Sequence, residues 1–350
     1  MAYERLVDTK RGELGIISCN SGRHFAEKVA SQLEDIILKN HNVKYNPRID
    51  SKETIFANTE LKTEIQESVR NRDIYIFQDI ENKTDGMSVN DNYMALKTAI
   101  LASKSSAPEH VTAVVPVFPY ARQDKPKSRE GVTAGLVVSE LVSAGAKRVI
   151  TLDVHQETIA GMFTAIGNDS VLENLRASKR FIDYINGNIP LDDLVIVAPD
   201  TGGAQRANFY AKKLELPLNV MYKERDYSSP NNVGNMRLVG DVKDKNCFFI
   251  DDMIDTAGTT VKSIENLKEL GAKDVYFAAS LPLFNGPAIE RLSSAYERGI
   301  LKKVIGTNVV YHGDNFVEEN DWFEEIPMER YFAKVIYHIN QGRSISKLLE

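Results

Sequence analysis

The sequence predicts an α/β protein of two domains, each a mostly parallel sheet flanked by helices. Three observations carry this expectation. Short apolar runs alternate with amphipathic helical patterns, the alternation lapses once and then resumes, and 350 residues suffice for two cores. The first domain is expected over residues 12–173 and the second over 174–339, with segment 340–350 packing back on the first.

After a polar lead-in to residue 10, residues 14–18 read as a strand. Residues 25–38 read as a helix with Phe25, Val29, Leu33, Ile36 and Ile37 on its inward stripe. Strands at 73–78, 111–117 and 148–153 alternate with helices at 93–102 and 133–143. Beyond a poorly patterned stretch near 165–180, the design repeats: strand 194–198, helix 204–214, strand 218–222. Residues 247–250 have the bulk of a buried parallel strand, and Val261, Ile264, Leu267 and Leu270 line one stripe of the helix that follows. Segments 275–280, 288–294 and 304–307 complete the second half, and 331–349 reads as a closing helix.

Composition excludes several classes. A net charge of -6 argues against a broad nucleic-acid footprint, which would be basic. Two cysteines, Cys19 and Cys247, lie in strand-like apolar contexts, so a disulfide framework is not expected and a reducing cytoplasm suits the chain. The start MAYERLVDTKRGELG lacks the apolar core of a secretory signal, and no run approaches a membrane span. The expectation is a soluble cytoplasmic protein without nucleic-acid or membrane partners.

Chemistry concentrates in 247–272, CFFIDDMIDTAGTTVKSIENLKELGA. A strand, a turn of small residues and a helix aim several backbone N–H groups at one spot, where the helix N-terminus adds its positive end. Such a nest binds phosphate. The carboxylates Asp251, Asp252 and Asp255 suit either sugar hydroxyls or a Mg²⁺ ion, and a capped helix start beside a solvated acidic turn is the plainer alternative. Other polar clusters also follow strands: Arg122, Gln123 and Asp124, then Asp153, His155 and Glu157, then Asp200 with Gly202 and Gly203. Ligands of open parallel sheets collect beyond these carboxyl ends.

The segments FPYARQDK, DVHQETIAGMF, APDTGGAQR, YKERD, VGDVKDK and IDDMIDTAGTT occur in this order. Together with the closing NQGRSISKLL they resemble the ribose-phosphate pyrophosphokinase family over nearly the whole chain. The resemblance implies two phosphoribosyltransferase-type domains and an enzyme that transfers the β,γ-diphosphoryl group of ATP to the 1-hydroxyl of ribose 5-phosphate, leaving AMP. Mg²⁺ is the implied companion ion.

By the same resemblance, Phe56, Asn58 and Glu60 of FANTE would read adenine, Arg122 and Gln123 would contact ATP, and His155 and Asp200 would lie at the metal site. Lys223 and Arg225 match the catalytic loop, where cations neutralise charge on the transferred group. Asp251 and Asp252 would meet the ribose hydroxyls, while Asp255, Thr256, Ala257, Gly258 and Thr259 would wrap the 5-phosphate. Gly202 and Gly203 would flank the diphosphate. Ser68, Arg70, Ser128, Arg129, Ser344 and Ser346 match a subunit-interface site at which phosphate activates and ADP inhibits hexameric members. A homo-oligomer built from dimers is therefore expected.

The chain departs from the family pattern at Gln205, at Asp226-Tyr227 and at Ser280-Leu281. None of these removes a residue named above. A silent regulatory subunit is the competing reading, yet Lys223, Arg225 and all three aspartates of the acidic loop are present. A base-accepting phosphoribosyltransferase would have no use for FANTE or YARQD.

Overall fold

The computed structural model describes residues 11–126, 128–167, 169–223 and 236–349, with Lys223 and Met236 described by backbone alone. Arg225 and the Asp226-Tyr227 departure lie outside the described residues. The chain divides into two units, one of Met1–Arg176, Asn308–Gly313 and Pro327–Glu350, the other of Ala177–Thr307 and Asp314–Ile326. The division falls within the stretch where the sequence alternation lapses. The segment returning to the first unit is longer than residues 340–350.

In the first unit β1 (Glu13–Ser18) leads to α1 (Arg23–His41), then to a hairpin of β2 (Ser51–Ile55) and β3 (Leu61–Ile65). There follow β4 (Arg72–Phe77), α2 (Val89–Ser105), β5 (His110–Val114), α3 (Thr133–Ala144), β6 (Arg148–Leu152), α4 (Thr158–Ile166) and β7 (Val171–Leu175). The five-stranded sheet has order β1-β4-β5-β6-β7 and its pairs are parallel. Its inner strands are apolar on both faces, as sheets covered by helices require. Helix α2 opens with a capping box: the Asp91 N–H donates to Ser88 Oγ, and the Ser88 N–H returns to Asp91 Oδ2.

The second unit starts at α5 (Ser178–Asn188) and continues through β8 (Leu194–Ala198), α6 (Ala204–Leu214), β9 (Leu218–Lys223) and β10 (Met236–Val239). It goes on with β11 (Asn246–Ile254), α7 (Gly258–Glu269), β12 (Val275–Pro282), α8 (Ala288–Glu297), β13 (Lys303–Thr307), α9 (Phe316–Glu319) and β14 (Phe323–Ile326). Its seven-stranded sheet has order β10-β9-β8-β11-β12-β13-β14, parallel except for the edge strand β10. Strand order reverses at β8: the chain passes to β9 on one side and later returns to β11 on the other. Phe249, Phe277, Ile264, Leu267 and Leu292 fill the core beneath, each worth roughly 1.5–3 kcal/mol when fully buried.

The chain closes in the first unit with α10 (Glu329–Asn340) and α11 (Ser346–Leu349), where the sequence predicts one helix over 331–349. Gly342, at φ 63, takes the left-handed conformation between them. Phe332 of α10 packs edge-on against Phe25 of α1 at 5.1 Å. At the amino end of β4, buried Asp73 receives Arg11 through two nitrogens at 3.2 Å, the Tyr75 hydroxyl at 2.9 Å and Asn340 Nδ2 at 3.1 Å. At the other end of β4, Asp79 Oδ2 accepts the Tyr311 N–H at 2.8 Å, and the Tyr311 ring stacks on His24 at 4.1 Å. Burial pushes the Asp79 carboxyl up to about 7, outweighing the N–H donors of Tyr311 and Glu81.

Candidate active site

In the second unit three adjacent parallel strands, β9, β8 and β11, deliver the predicted polar residues at their carboxyl ends. Lys223 is the last residue of β9. Asp200 follows β8 and is exposed, its Oδ1 accepting the Gly203 N–H at 2.8 Å. A Cβ at Gly202 would stand 3.2 Å from that same Oδ1, so bare backbone at this turn leaves the carboxylate room.

Strand β11 runs further than the apolar run 247–250 suggests, to Ile254, and thus carries both carboxylates Asp251 and Asp252 itself. Arg206 Nη1, from α6, lies 3.1 Å from Asp251 Oδ1 and 3.3 Å from Asp252 Oδ1. The Asp252 N–H also donates to Asp251 Oδ1, at 2.9 Å. Burial, then the neighbouring Asp252 charge, push the Asp251 carboxyl well above its ordinary range, and the Arg206 guanidinium opposes them. Arg206 closes the APDTGGAQR segment, but the resemblance gives it no role, and its contact with both aspartates arises only in the fold.

Ala257 caps α7 at φ 56, a left-handed conformation uncommon for a residue with a Cβ, and it is buried. Ala257, with no polar side chain, makes no capping bond of its own. Intrahelical bonding begins with the Val261 N–H on the Ala257 carbonyl, at 2.9 Å, and the N–H groups of the first turn precede it. Thr256 and Thr259 are exposed around this turn. Two residues beyond the motif hold it: Asn285 Nδ2 donates to Asp255 Oδ1 at 2.8 Å, and Arg291 Nη1 donates to the Thr256 carbonyl at 2.8 Å. The result is a cradle of backbone donors beside an acidic pair, at the point where strand order reverses.

In the first unit the FANTE residues form the tip of the β2–β3 hairpin. The Phe56 N–H reaches the Glu60 carbonyl at 2.7 Å, and Asn58 Oδ1 accepts the Glu60 N–H at 3.2 Å. The Phe56 ring is 46% exposed, which sets aside a core role for it within this unit. Arg122 and Gln123 lie in the connection after β5, both exposed, with Gln123 Oε1 accepting the Thr133 hydroxyl at 2.6 Å where α3 begins. His155 is half-buried in the turn after β6, which is braced by the Val154 N–H on Asn174 Oδ1 at 2.9 Å and by Arg176 on Asp153 at 3.4 Å. Among the described residues no group of three or more His, Cys, Asp or Glu side chains stands together as a metal cage.

Ser68, Arg70, Ser128, Arg129, Ser344 and Ser346 all lie exposed in the first unit. Two of them touch: the Ser346 N–H and hydroxyl both meet Ser344 Oγ, at 3.3 and 3.2 Å, as α11 begins. No helix of the described residues is long and apolar enough to cross a membrane.

Comparison with known proteins agrees with this layout. Residues 14–145 match the N-terminal domain of ribose phosphate pyrophosphokinase, and residues 168–314 match the phosphoribosyl transferase domain. Ribose-phosphate pyrophosphokinase 2 of Schizosaccharomyces pombe is 37% identical over 336 residues, covering 95% of this chain and 96% of that protein. The ribose-phosphate pyrophosphokinase of Chlorobaculum tepidum is 34% identical over 339 residues, covering 96% and 94% respectively. Among solved structures, the phosphoribosylpyrophosphate synthetase of Mycobacterium smegmatis is similar at a TM-score of 0.81 and 30% identity, covering 94% of this chain and 99% of that one.

Proposed function

The chain belongs to the ribose-phosphate pyrophosphokinase family, and on that premise we propose how its residues divide the work of making phosphoribosyl pyrophosphate from ribose 5-phosphate and ATP. The 1-hydroxyl of the sugar attacks the β-phosphorus, the bond from that phosphorus to the oxygen bridging the α-phosphate breaks, and AMP leaves. Catalysis of such a transfer is mostly positioning and charge neutralisation.

The observation that carries the assignment is the acidic pair set beside the first-turn N–H donors of α7 at the carboxyl end of β11. The Thr256–Thr259 turn would take the 5-phosphate on its backbone N–H groups, with the dipole of α7 adding to the attraction. Asp251 and Asp252 would accept from the ribose hydroxyls. Asp200 and the glycine turn after β8 would face the diphosphate. Lys223 and Arg225 would neutralise charge on the group in flight.

The ATP side belongs to the first unit: the exposed Phe56 ring to stack on adenine, Asn58 and Glu60 to read its edge, and Arg122 and Gln123 to meet the phosphates. Mg²⁺ is the proposed companion ion: Asp200 of the second unit offers an exposed carboxylate, the oxygen ligand such an ion takes, and His155 of the first unit is proposed as a further ligand by the resemblance alone. Such an ion keeps several waters and substrate oxygens and needs few protein ligands. When bound it would neutralise phosphate charge.

Phosphate and ADP are proposed effectors at Ser68, Arg70, Ser128, Arg129, Ser344 and Ser346, whose exposed hydroxyls and guanidinium groups suit phosphate. A homo-oligomer with a dimer as its building block, extending to a hexamer, is proposed with them on the strength of the resemblance. Cys19 and Cys247 are free and buried, which suits the reducing cytoplasm we assign.

The test is product analysis with Mg²⁺ and ATP. AMP and phosphoribosyl pyrophosphate appearing one for one, only when ribose 5-phosphate is present, is the expected result; absence of both products would move the chain to a silent-subunit role.

A further inference from the structure

Arg206 carries none of the roles assigned above, yet it stands at the centre of the second unit's site. It lies in the first turn of α6 and is partly exposed. Successive side chains of a strand point to opposite faces, so Asp251 and Asp252, neighbours on β11, should diverge. They do not: one nitrogen, Arg206 Nη1, is within 3.1 Å of Asp251 Oδ1 and 3.3 Å of Asp252 Oδ1. The Asp252 N–H at 2.9 Å from that same Asp251 oxygen completes the convergence. The guanidinium reaches both acids from the helix between β8 and β9, across the place where strand order reverses. Nη1 carries two hydrogens fixed in the guanidinium plane, so one nitrogen can offer a donor to each carboxylate in a set direction, whereas an ammonium's donors rotate.

We infer that Arg206 is a positioning residue for the sugar: it gathers the Asp251 and Asp252 carboxylates into one acceptor pair that reads the vicinal ribose hydroxyls. The inference rests on the proposed contact of that pair with ribose. A pair so held rejects a sugar lacking one hydroxyl, because a buried acceptor is then left without its donor. Arg206 therefore governs discrimination between ribose 5-phosphate and 2-deoxyribose 5-phosphate as well as affinity for the sugar.

The experiment measures kcat/KM for both sugar phosphates, and KM for ATP, in the wild type, Arg206→Lys, Arg206→Ala and Asp251→Asn. Circular dichroism of each variant reports its fold, and Arg206→Lys, which keeps the charge, is the decisive variant. Arg206→Lys is expected to lower the preference for ribose by about tenfold while KM for ATP stays within about twofold. Wild-type preference in both Arg206 variants, with the preference lost in Asp251→Asn, overturns the role of Arg206 and leaves the acidic pair's role standing. Unchanged preference in Asp251→Asn overturns the ribose contact itself, and the inference with it. Equal weakening of sugar and ATP in Arg206→Lys marks a general structural role and also overturns it.

Discussion

Asn285 grips Asp255 twice: its Nδ2 donates to Asp255 Oδ1 at 2.8 Å, and its backbone N–H reaches the Asp255 carbonyl at 2.9 Å. The chain beyond β12 thereby braces the loop beyond β11, so the phosphate cradle is held from the neighbouring strand. Asn285→Ala removes the side-chain bond and keeps the backbone one. KM for ribose 5-phosphate should rise about 3- to 10-fold, as loss of one hydrogen bond implies, with KM for ATP unchanged. Steady-state kinetics with each substrate varied in turn checks this, and an equal rise for both would point to general loosening.

Phe56→Ala separates a recognition role from a packing role. The ring is 46% exposed, so its removal should shift stability by less than about 0.5 kcal/mol. Loss of a stacking partner should raise KM for ATP about tenfold or more. Thermal melts and ATP titrations read the two effects separately. A large fall in Tm with unchanged KM would make the hairpin tip a structural element.

Asp79 gives a pH prediction whose sign is fixed by its buried state. Its folded carboxyl titrates at about 7, above the unfolded value of about 3.9. Between these values the folded chain holds a proton that the unfolded chain has released, so the Asp79 contribution to stability falls as pH rises and is lost above about 7. Relative to Asp79→Asn, the wild type should lose on the order of 3 kcal/mol across that window. Melting both proteins from about pH 5 to pH 8.5 checks this; a wild-type-minus-variant difference that stays flat would contradict it.

Lys223 ends β9, and its proposed task is confined to the transition state. Lys223→Ala should therefore lower kcat by about 100-fold or more, in the range of lost electrostatic stabilisation, and leave ribose 5-phosphate binding close to intact. Single-turnover AMP formation alongside equilibrium binding of the sugar makes the comparison. Weakened binding with unchanged turnover would remove Lys223 from catalysis.

Much of this architecture is legible in the sequence because buried parallel strands leave continuous apolar runs. LVIVA at 194–198 matches β8 residue for residue, and APDTGGAQR and IDDMIDTAGTT each run from the end of a strand into the start of a helix. What escapes lacks that mark. Strands β2, SKETI, and β3, LKTEI, are polar and half-exposed, so the sequence reading assigns no element there, although they lift Phe56 to a hairpin tip. VLENL, at β7, sits in the stretch without pattern, yet it pairs with β6 along its length. Asp251 and Asp252 read as turn residues because charge seldom continues a buried strand, and here Arg206 meets both charges. Arg206, Asn285 and Arg291 come from other elements, and their contacts with the acidic loop arise only when the sheet brings those elements together.

The central claim is that the loop after β11 receives ribose 5-phosphate. Its most direct test is AMP formation by Asp251→Asn, measured against rising ribose 5-phosphate at saturating ATP and against rising ATP at saturating sugar. Recovery by added ribose 5-phosphate, with KM for ATP unmoved, is the predicted result. Recovery by ATP alone, or a selective ATP defect, would contradict the assignment.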